Sequence, residues 1–346
     1  MPFENLPLTL APMEATLVSE IPVGPQWQYE PKWDGFRCLA FRDGDEIHLQ
    51  SKSGQALARY FPDLVESLRS LRLRKFVFDG EIVIPIEGRL SFDDLLLRVH
   101  PAESRVRKLA ADHPALLIVF DLLATERGAS LTSRTLDERR IRLEKLAARY
   151  FRGRKDIRLS PATQRLSDAK RWFRTVGGDL DGIIAKRRDL PYQSANRAGM
   201  QKIKQRRSAD CVVGGFRYAE GKKLVGSLLL GLYDDQGLLY HVGFTSGIKA
   251  AERQRITDLV EPLIQPPGFT GRAPGGPSRW STKRSSEWQP LAPKLVVEVE
   301  YDHFTGDRFR HGTSLLRWRG DKRPRDCDLA QVAGLGTGTL KLLKDA

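Results

Sequence analysis

A lysine, a carboxylate and an arginine lie close together near the start of the chain, in the stretch PKWDGFR (31–37). Lys32 and Arg37 enclose the pair Asp34-Gly35. A lysine amine has an ordinary pKa of about 10.4, and it becomes a nucleophile only when burial, nearby cations or a metal favour its neutral form. Lys32 is therefore either a nucleophile or a solvent-exposed lysine beside a turn, and this stretch alone leaves both interpretations open.

Two carboxylates follow at the spacing of a strand. Asp79 and Glu81 occupy alternate positions of FDGEIV (78–83), and alternate side chains of a strand point to the same face. Such a pair can receive a metal ion or orient a lysine. Carboxylates beside a glycine also occur in ordinary turns, so the pair predicts a functional site only together with other motifs in the chain.

Further segments down the chain continue this series of charged and aromatic residues. LDGIIAKR (180–187) adds Asp181 and Lys186, and KIK (202–204) places two lysines on one face of a strand. VFDLL (119–123) contributes Phe120, which is either a ring for stacking on a base or a core aromatic residue. RWRGDK (317–322) gathers cations near the end of the sequence.

The composition favours a polyanionic partner. The chain has 346 residues, with 57 Lys and Arg against 43 Asp and Glu, which gives a net charge of +14. A protein this basic attracts nucleic acid, although a solvated basic surface has the same composition. No apolar run reaches eighteen residues, so no membrane span is predicted. Three distant cysteines form no C-x-x-C pair, which argues against a zinc ribbon or disulfides and favours the cytoplasm.

The first two hundred residues alternate strand and helix patterns. Residues 36–52 predict a hairpin around Asp43-Gly44-Asp45, and 75–86 and 115–124 predict buried strands. A helix is predicted from Leu136 to Tyr150, with a capping box at Thr135 and Glu138. Its predicted apolar face consists of Leu136, Ile141, Leu143 and Leu146. A second helix is predicted from Asp168 to Val176, ending at Gly177-Gly178.

The pattern changes after the basic segment 202–210. Short strands punctuated by glycine, a helical segment (250–263), a Pro/Gly/Ser/Arg-rich loop (265–288) and a strand in 294–304 follow. We therefore predict an α+β domain with mainly antiparallel sheets over 1–207, and a β-barrel of the OB-fold type over 208–346. The loop cations Arg272, Arg279, Lys283 and Arg284 predict either a phosphate-contacting element or a plain surface loop.

Taken in order from Lys32 to Lys322, these segments resemble the motifs of the covalent nucleotidyltransferase superfamily, which includes ATP-dependent DNA ligases, RNA ligases and mRNA capping enzymes. Longer stretches narrow the resemblance: YEPKWDGFR, HPAESRVR, DGIIAK, GSLLLGLY and EVEYDHFTGDRFRH are similar to bacterial ATP-dependent DNA ligases of the C type. These are relatives of the ligase domain in D-type end-joining enzymes. The resemblance implies a nucleotidyltransferase domain followed by an OB-fold domain.

The resemblance also implies roles for individual residues. Lys32 would form a lysyl-AMP with ATP, and Asp34 and Lys204 would assist the chemistry. Glu81 and Asp181 would hold Mg²⁺ or Mn²⁺. The implied nucleotide-binding residues are Glu30, Lys32, Arg37, Lys52, Glu81, Phe120, Asp181, Ile183, Lys202, Lys204, Arg319 and Lys322. Two positions depart from the common pattern: Lys52 stands where many members have arginine, and Asp181 where many have glutamate.

The implied substrate is nicked or broken duplex DNA, sealed during repair by a monomer with no membrane association. A Ku-like end-binding protein and a separate repair polymerase are the implied partners. Two alternatives stay open from sequence. One is an RNA ligase or a capping-type enzyme that uses GTP, and the other is a non-catalytic OB-fold protein that binds nucleic acid.

Overall fold

The computed structural model describes residues 3, 6–175, 180–275, 287–332 and 339–343. The chain divides into two compact units. Unit 1 comprises Met1–Gln205 and Leu335–Ala346, and unit 2 comprises Arg206–Gly334. The predicted domains 1–207 and 208–346 differ from these units chiefly at the C-terminus, which groups with unit 1. Leu340, Leu342 and Leu343 account for this, because they join an apolar cluster of unit 1.

Unit 1 contains five helices and eleven strands among the described residues. The helices are α1 (Pro62–Arg69), α2 (Phe92–Leu97), α3 (Glu103–Asp112), α4 (Leu136–Tyr150) and α5 (Leu166–Thr175), with 3₁₀ turns at Ala58–Tyr60 and Thr339–Leu343. The strands are β1 (Thr16–Leu17), β2 (Trp27–Lys32), β3 (Phe36–Asp43), β4 (Glu46–Ser51), β5 (Lys75–Val83), β6 (Pro85–Ile86), β7 (Arg89–Leu90), β8 (Leu116–Ala124), β9 (Ile157–Leu159), β10 (Gly182–Arg187) and β11 (Met200–Lys204).

Two sheets form the framework of unit 1. One has the order β1-β11-β10-β2, and the other has the order β4-β3-β5-β8-β9. Among these strand pairs only β1–β11 and β8–β9 are parallel, so the predicted antiparallel character is confirmed. The predicted hairpin is β3–β4, and Gly44 at its turn has φ 64°, a left-handed conformation that glycine adopts readily.

Helix α4 shows how local sequence sets a boundary. Thr135 accepts a hydrogen bond from the backbone N–H of Glu138, and the Glu138 side chain accepts from the Thr135 N–H, so the predicted capping box is confirmed. The predicted apolar face is wrong at Ile141, which is 53% exposed. A helical stripe through Leu136 and Leu143 passes over positions 139 and 140 instead, which places two arginines on the buried side.

One of these arginines closes a buried ion pair. Arg139 donates through Nε and Nη2 to the two carboxylate oxygens of Asp121 on β8, at 2.8 and 2.9 Å. Burial alone would raise the pKa of Asp121, but the charge and hydrogen bonds of Arg139, together with the charge of Lys186 and the backbone N–H of Leu122, outweigh it and hold the pKa below its usual range. The pair therefore links α4 to strand β8 of the larger sheet.

Breaking this pair should destabilise unit 1 strongly. We expect Asp121→Asn to lower the free energy of unfolding by about 3–5 kcal/mol, because it leaves a buried guanidinium without its counter-charge. Chemical denaturation measures the change. The matched control is Glu103→Gln, which removes an exposed ion pair with Arg107 and should cost under about 1 kcal/mol. Equal effects of the two substitutions would contradict the role given to Asp121.

Unit 2 is built on one antiparallel sheet. Its elements are β12 (Arg207–Tyr218), β13 (Val225–Tyr233), β14 (Leu239–Thr245), α6 (Arg253–Val260), β15 (Gln289–Pro290), β16 (Val296–Tyr301), β17 (Phe304–Thr305), β18 (Arg308–Phe309) and β19 (Ser314–Trp318), with 3₁₀ turns at Ala250–Glu252, Glu261–Leu263, Pro324–Asp326 and Leu329–Gln331. The main order is β14-β13-β12-β16-β19, with β15 beside β12. An isolated bridge between Thr245 and Thr313 links the two edges, and no continuous ladder closes a barrel within the described residues.

The second predicted helix is α5, which begins two residues before the predicted start, while its predicted stop at Gly177-Gly178 lies outside the described residues. In the part of the chain that the structure describes, no helix is long and apolar enough to cross a membrane.

Candidate active site

Three neighbouring strands bring the predicted lysines into one row. Lys32 on β2 and Lys204 on β11 both pair with Gly182 of β10, from its two sides. Two residues further along β10, Ile184 pairs with Glu30 on one side and with Lys202 on the other. Because the register fixes these positions, residues far apart in sequence lie side by side across the sheet.

Asp181, just before β10, stands between two of the lysines. It forms a close ion pair with Lys32, and its other carboxylate oxygen lies 3.4 Å from Lys204 Nζ. The Lys32 side chain is only 23% exposed, which argues against the surface-lysine interpretation. Burial, followed by the positive charges of Lys32, Lys204 and Lys52, lowers the pKa of Lys202. Cations are therefore dense around the candidate nucleophile.

Two glycines allow the strands to approach at this point. A Cβ on Gly35 would collide with the backbone oxygen of Ile82, so β3 can lie this close to β5 only with glycine there. Gly182 has φ +135°, and a Cβ there would collide with the backbone oxygen of Ile203. The glycines of the two D-G pairs thus position Asp34 and Asp181 by steric necessity.

Arg37 is held by a partner that sequence reasoning did not assign. Its Nη2 donates to Asp79 Oδ2 at 2.6 Å and its Nε donates to Oδ1 at 2.5 Å. Tyr192 donates its hydroxyl to the same carboxylate at 2.7 Å and accepts from the backbone N–H of Met13. Asp79 is completely buried, so this network, and not a metal or a lysine as its spacing with Glu81 suggested, takes up its charge.

Phe120 forms a wall of the site between two cations. The Arg37 guanidinium carbon lies 4.5 Å from the ring centroid and Lys186 Nζ lies 4.4 Å from it. Lys186 in turn pairs with Glu30 at 2.7 Å, and Gln28 donates to the other oxygen of Glu30. Phe120 is 6% exposed, as the buried-strand interpretation expects, and it borders the cleft; its stacking on a base stays a prediction.

These residues enclose a cleft of about 790 Å³ in unit 1. The predicted residues that line it are Glu30, Lys32, Arg37, Lys52, Glu81, Phe120 and Lys202. Lys52 is 60% exposed and pairs with Glu14 at 3.1 Å. The cleft is large enough for a nucleotide and presents both an aromatic wall and several cations, which are the groups that bind a base and phosphates.

Other predicted residues lie elsewhere. The Ile183 side chain is buried in a core cluster and its neighbour Ile184 lines the cleft, so only the backbone of Ile183 remains for a nucleotide contact. Asp34 is half-buried, and its charge raises the pKa of Glu81. Arg319 and Lys322 belong to unit 2, where they pair with Asp210 at 2.8 and 3.5 Å.

The loop predicted to contact phosphate is described only in part. Arg272 donates to the backbone oxygens of His241 and Asp307 and also pairs with the Asp307 carboxylate, so it has a structural role within unit 2. Arg279, Lys283 and Arg284 lie outside the described residues.

Glu81 carries the electrostatic signature of a cation site. Burial raises its pKa from 4.5 to about 7, and the charges of Arg37 and Lys32 offset this only in part. Within the described residues no group of three or more His, Cys, Asp or Glu side chains could hold a metal. Mg²⁺ commonly binds through one or two carboxylates together with phosphate oxygens and water, so such an ion does not require a larger carboxylate cluster.

The raised pKa of Glu81 predicts a pH-dependent stability. Between pH 4.5 and about 7 the folded protein retains a proton that the unfolded chain releases, so stability falls as pH rises through this window. Glu81→Gln does not titrate. We expect the melting temperature of the variant, relative to wild type, to rise from pH 5 to pH 8 in metal-free and nucleotide-free buffer. The exposed Glu46→Gln is the control, and a pH-independent difference for Glu81→Gln would contradict the assignment.

A lysine in a row of cations and carboxylates, beside an aromatic cleft wall, fits an enzyme that transfers a nucleotide. Comparison with known proteins gives the family. Residues 12–204 match the family model described as "ATP dependent DNA ligase domain", and residues 221–322 match "ATP dependent DNA ligase C terminal region". The chain belongs to the family of ATP-dependent DNA ligases.

Curated relatives agree over most of the chain. It is 42% identical to DNA ligase C2 of Mycolicibacterium smegmatis, covering 93% of this chain and 94% of the relative, and 42% identical to DNA ligase C of Mycobacterium tuberculosis, covering 93% of each. It is 29% identical to the multifunctional end-joining repair protein LigD of Mycobacterium tuberculosis, covering 94% of this chain and 40% of that one. A solved Lig E DNA ligase, 16% identical, has a TM-score of 0.55 and covers 89% of this chain and 99% of its own, a likeness of fold alone.

Proposed function

We propose that this DNA ligase works through a covalent adenylate on Lys32. The Lys32 amine, after losing its proton, attacks the α-phosphorus of ATP; a P–N bond forms, the bond to the bridging oxygen breaks and pyrophosphate leaves. An oxygen of the 5′-phosphate at a DNA nick then attacks the phosphorus of this AMP, the P–N bond breaks, and the Lys32 amine leaves and regains its proton. The 3′-hydroxyl attacks that phosphate, the phosphodiester forms and AMP is released. The observation that carries this proposal is the half-buried Lys32, paired with Asp181 at the cleft.

The residues around Lys32 suit distinct parts of the nucleotide. Lys202 and Lys204 would bind phosphate oxygens, because they stand in register with Glu30 and Lys32 across β10. Phe120 would stack on adenine, and Glu30 would bind its edge. Asp34, Arg37 and Lys52 would hold the ribose and phosphate end.

Glu81 and Asp181 would hold a divalent cation, with Mg²⁺ proposed and Mn²⁺ as the alternative. When bound, this ion would neutralise charge on the phosphates. Before it binds, Asp181 keeps Lys32 and Lys204 together by pairing with both. The protein's own groups therefore gather the charges that phosphate chemistry requires.

Unit 2 would be an OB-fold domain, and unit 1 the adenylation domain. The edge-to-edge bridge from Thr245 to Thr313 and the presence of helix α6 beside short strands support a small barrel. Arg319 and Lys322 would orient pyrophosphate for departure, or alternatively bind DNA phosphates. Their pairing with Asp210 would have to loosen for either role.

The proposed substrate is nicked or broken duplex DNA during repair, with the enzyme acting as a monomer. The proposed partners in end joining are a Ku-like end-binding protein and a repair polymerase, because the chain is 29% identical to an end-joining repair protein over 94% of its length. Pull-down and end-joining assays with added Ku test this. No association, together with ligation indifferent to Ku, would exclude the partnership.

Nick sealing tests the proposed reaction. A labelled nicked duplex is incubated with enzyme, Mg²⁺ and either ATP or GTP, and the products are separated on a denaturing gel. We expect the full-length strand with ATP only, and accumulation of the DNA-adenylate when the 3′ end lacks its hydroxyl, because the last step is then blocked. Sealing of nicked RNA but not nicked DNA would instead support the RNA ligase alternative.

A further inference from the structure

Lys32 and Asp181, which pair at the site, each have a direct sequence neighbour in one apolar cluster. Trp33 follows Lys32, and Leu180 precedes Asp181; they are 4% exposed each and belong to one cluster with Val83 and Ile118. The backbone N–H of Asp181 donates to the oxygen of Lys32 at 3.0 Å. The positions of both charged residues therefore depend on how this cluster is packed.

The C-terminal segment Thr339–Leu343 completes that cluster. Leu343 is 3% exposed within it, and Leu340 and Leu342 pack against its edge. Arg158, at the end of the larger sheet, donates from Nη2 to the backbone oxygen of Leu343 in a short hydrogen bond. A side chain contributed from the last residues of the chain thus fills space behind the site.

The other side of Trp33 is held by a hydrogen bond. Its indole Nε1 donates to Ser160 Oγ at 2.9 Å, and Ser160 is completely buried after β9. The Ser160 N–H donates to Val119, beside Phe120. The polar edge of the indole is therefore held by Ser160, and its apolar part packs in the cluster that the C-terminal segment completes.

We propose that Leu343, through Trp33 and Leu180, is a positioning residue for Lys32 and Asp181 during lysine adenylation. A cavity at Leu343 would let the indole and Leu180 shift, because packed side chains relax into the space that a lost neighbour leaves. A shift of about 1 Å at a reacting group can cost roughly 10²-fold in rate. This inference rests on the proposed function of Lys32 as the nucleophile.

The steps of the reaction offer a test that separates positioning from stability. Forming the lysyl-AMP needs the placement of Lys32, whereas sealing a nick that already carries AMP does not use Lys32 as a nucleophile. We expect Leu343→Ala to slow self-adenylation about tenfold, and to change the sealing of a pre-adenylated nick by less than about threefold. Arg158→Ala removes the hydrogen bond to Leu343 and leaves the Leu343 side chain in place. It should slow self-adenylation by less than Leu343→Ala does, and it should change the sealing of a pre-adenylated nick by less as well.

The matched control is Leu71→Ala, the same change at a leucine that is 4% exposed in a different cluster of unit 1. We expect it to lower the melting temperature comparably and to leave both rates within about twofold of wild type, measured below the melting transition. If Leu343→Ala slows both steps equally, or slows neither, or if Leu71→Ala reproduces its pattern, the positioning role is wrong. Arg158→Ala decides the question should Leu343→Ala not fold. Wild type that forms no adenylate would refute the proposed function itself, a result distinct from any of these.

Discussion

Replacing Lys32 with alanine should abolish ATP-dependent sealing while leaving the sealing of a pre-adenylated nick largely intact. Removal of a covalent nucleophile typically costs on the order of 10⁴-fold or more, because no neighbouring group can form the intermediate. The last step uses the 3′-hydroxyl of the DNA as nucleophile, so we expect its rate to stay within about tenfold of wild type. Gel assays on the two substrates give both numbers.

The control for Lys32→Ala is Lys155→Ala, an exposed lysine outside the cleft. It removes the same charge from the protein and should leave both reactions unchanged. Lys32→Arg keeps the positive charge beside Asp181 but has no nucleophilic amine, so it should be as inactive as the alanine variant in the first reaction. Substantial sealing with ATP by either Lys32 variant would contradict the assignment.

Replacing Asp181 with asparagine should have the second-largest effect. Its carboxylate pairs with both Lys32 and Lys204, and without it the two ammonium groups repel each other at the point where ATP must bind. Lys32 then loses the partner that holds it in place, and a misplacement of about 1 Å at a reacting group can cost roughly 10²-fold, so we expect adenylation to fall on the order of 10²-fold. Radiolabel transfer from ATP, followed over time, measures the rate.

Asp181→Glu tests whether the site needs only a negative charge at this position or also the length of the aspartate side chain. The variant retains a carboxylate on a side chain that is one methylene longer, so we expect adenylation within about tenfold of wild type. Asp189→Asn is the matched control, since Asp189 is an exposed aspartate paired with Arg187 at the other end of β10. An asparagine variant at 181 with unchanged adenylation would show that the pair with Lys32 has no role in the reaction.

Features set by short-range sequence could be predicted well. The capping box at Thr135 and Glu138 fixed the start of α4, and the Asp-Gly turn identified the β3–β4 hairpin. The set of lysines at the cleft could also be predicted, because each lysine lies in a short motif with a recognisable order. The motifs do not reveal the register, though, and it is the register that sets Lys32 and Lys204 on either side of Gly182.

Features that depend on long-range packing could not be predicted. Tyr192 lies 113 residues from Asp79, and no local pattern announces that the two share a hydrogen bond around Arg37. Ile141 looked like part of an apolar face but is exposed, because the buried stripe of α4 passes instead over two arginines, Arg139 and Arg140, whose acceptors are the Asp121 carboxylate and the backbone oxygen of Ser160. The grouping of Leu343 with unit 1 likewise depends on the completed core.

The central claim is that Lys32 carries the adenylate, and label transfer tests it most directly. Wild type and Lys32→Ala are incubated with Mg²⁺ and α-labelled ATP or GTP, then separated by denaturing gel, and the labelled peptide is sequenced by mass spectrometry. We predict an acid-labile label from ATP, on wild type only, at Lys32. Label on the alanine variant, label from GTP alone, or no label on a protein that mass spectrometry shows to be free of AMP would contradict the account.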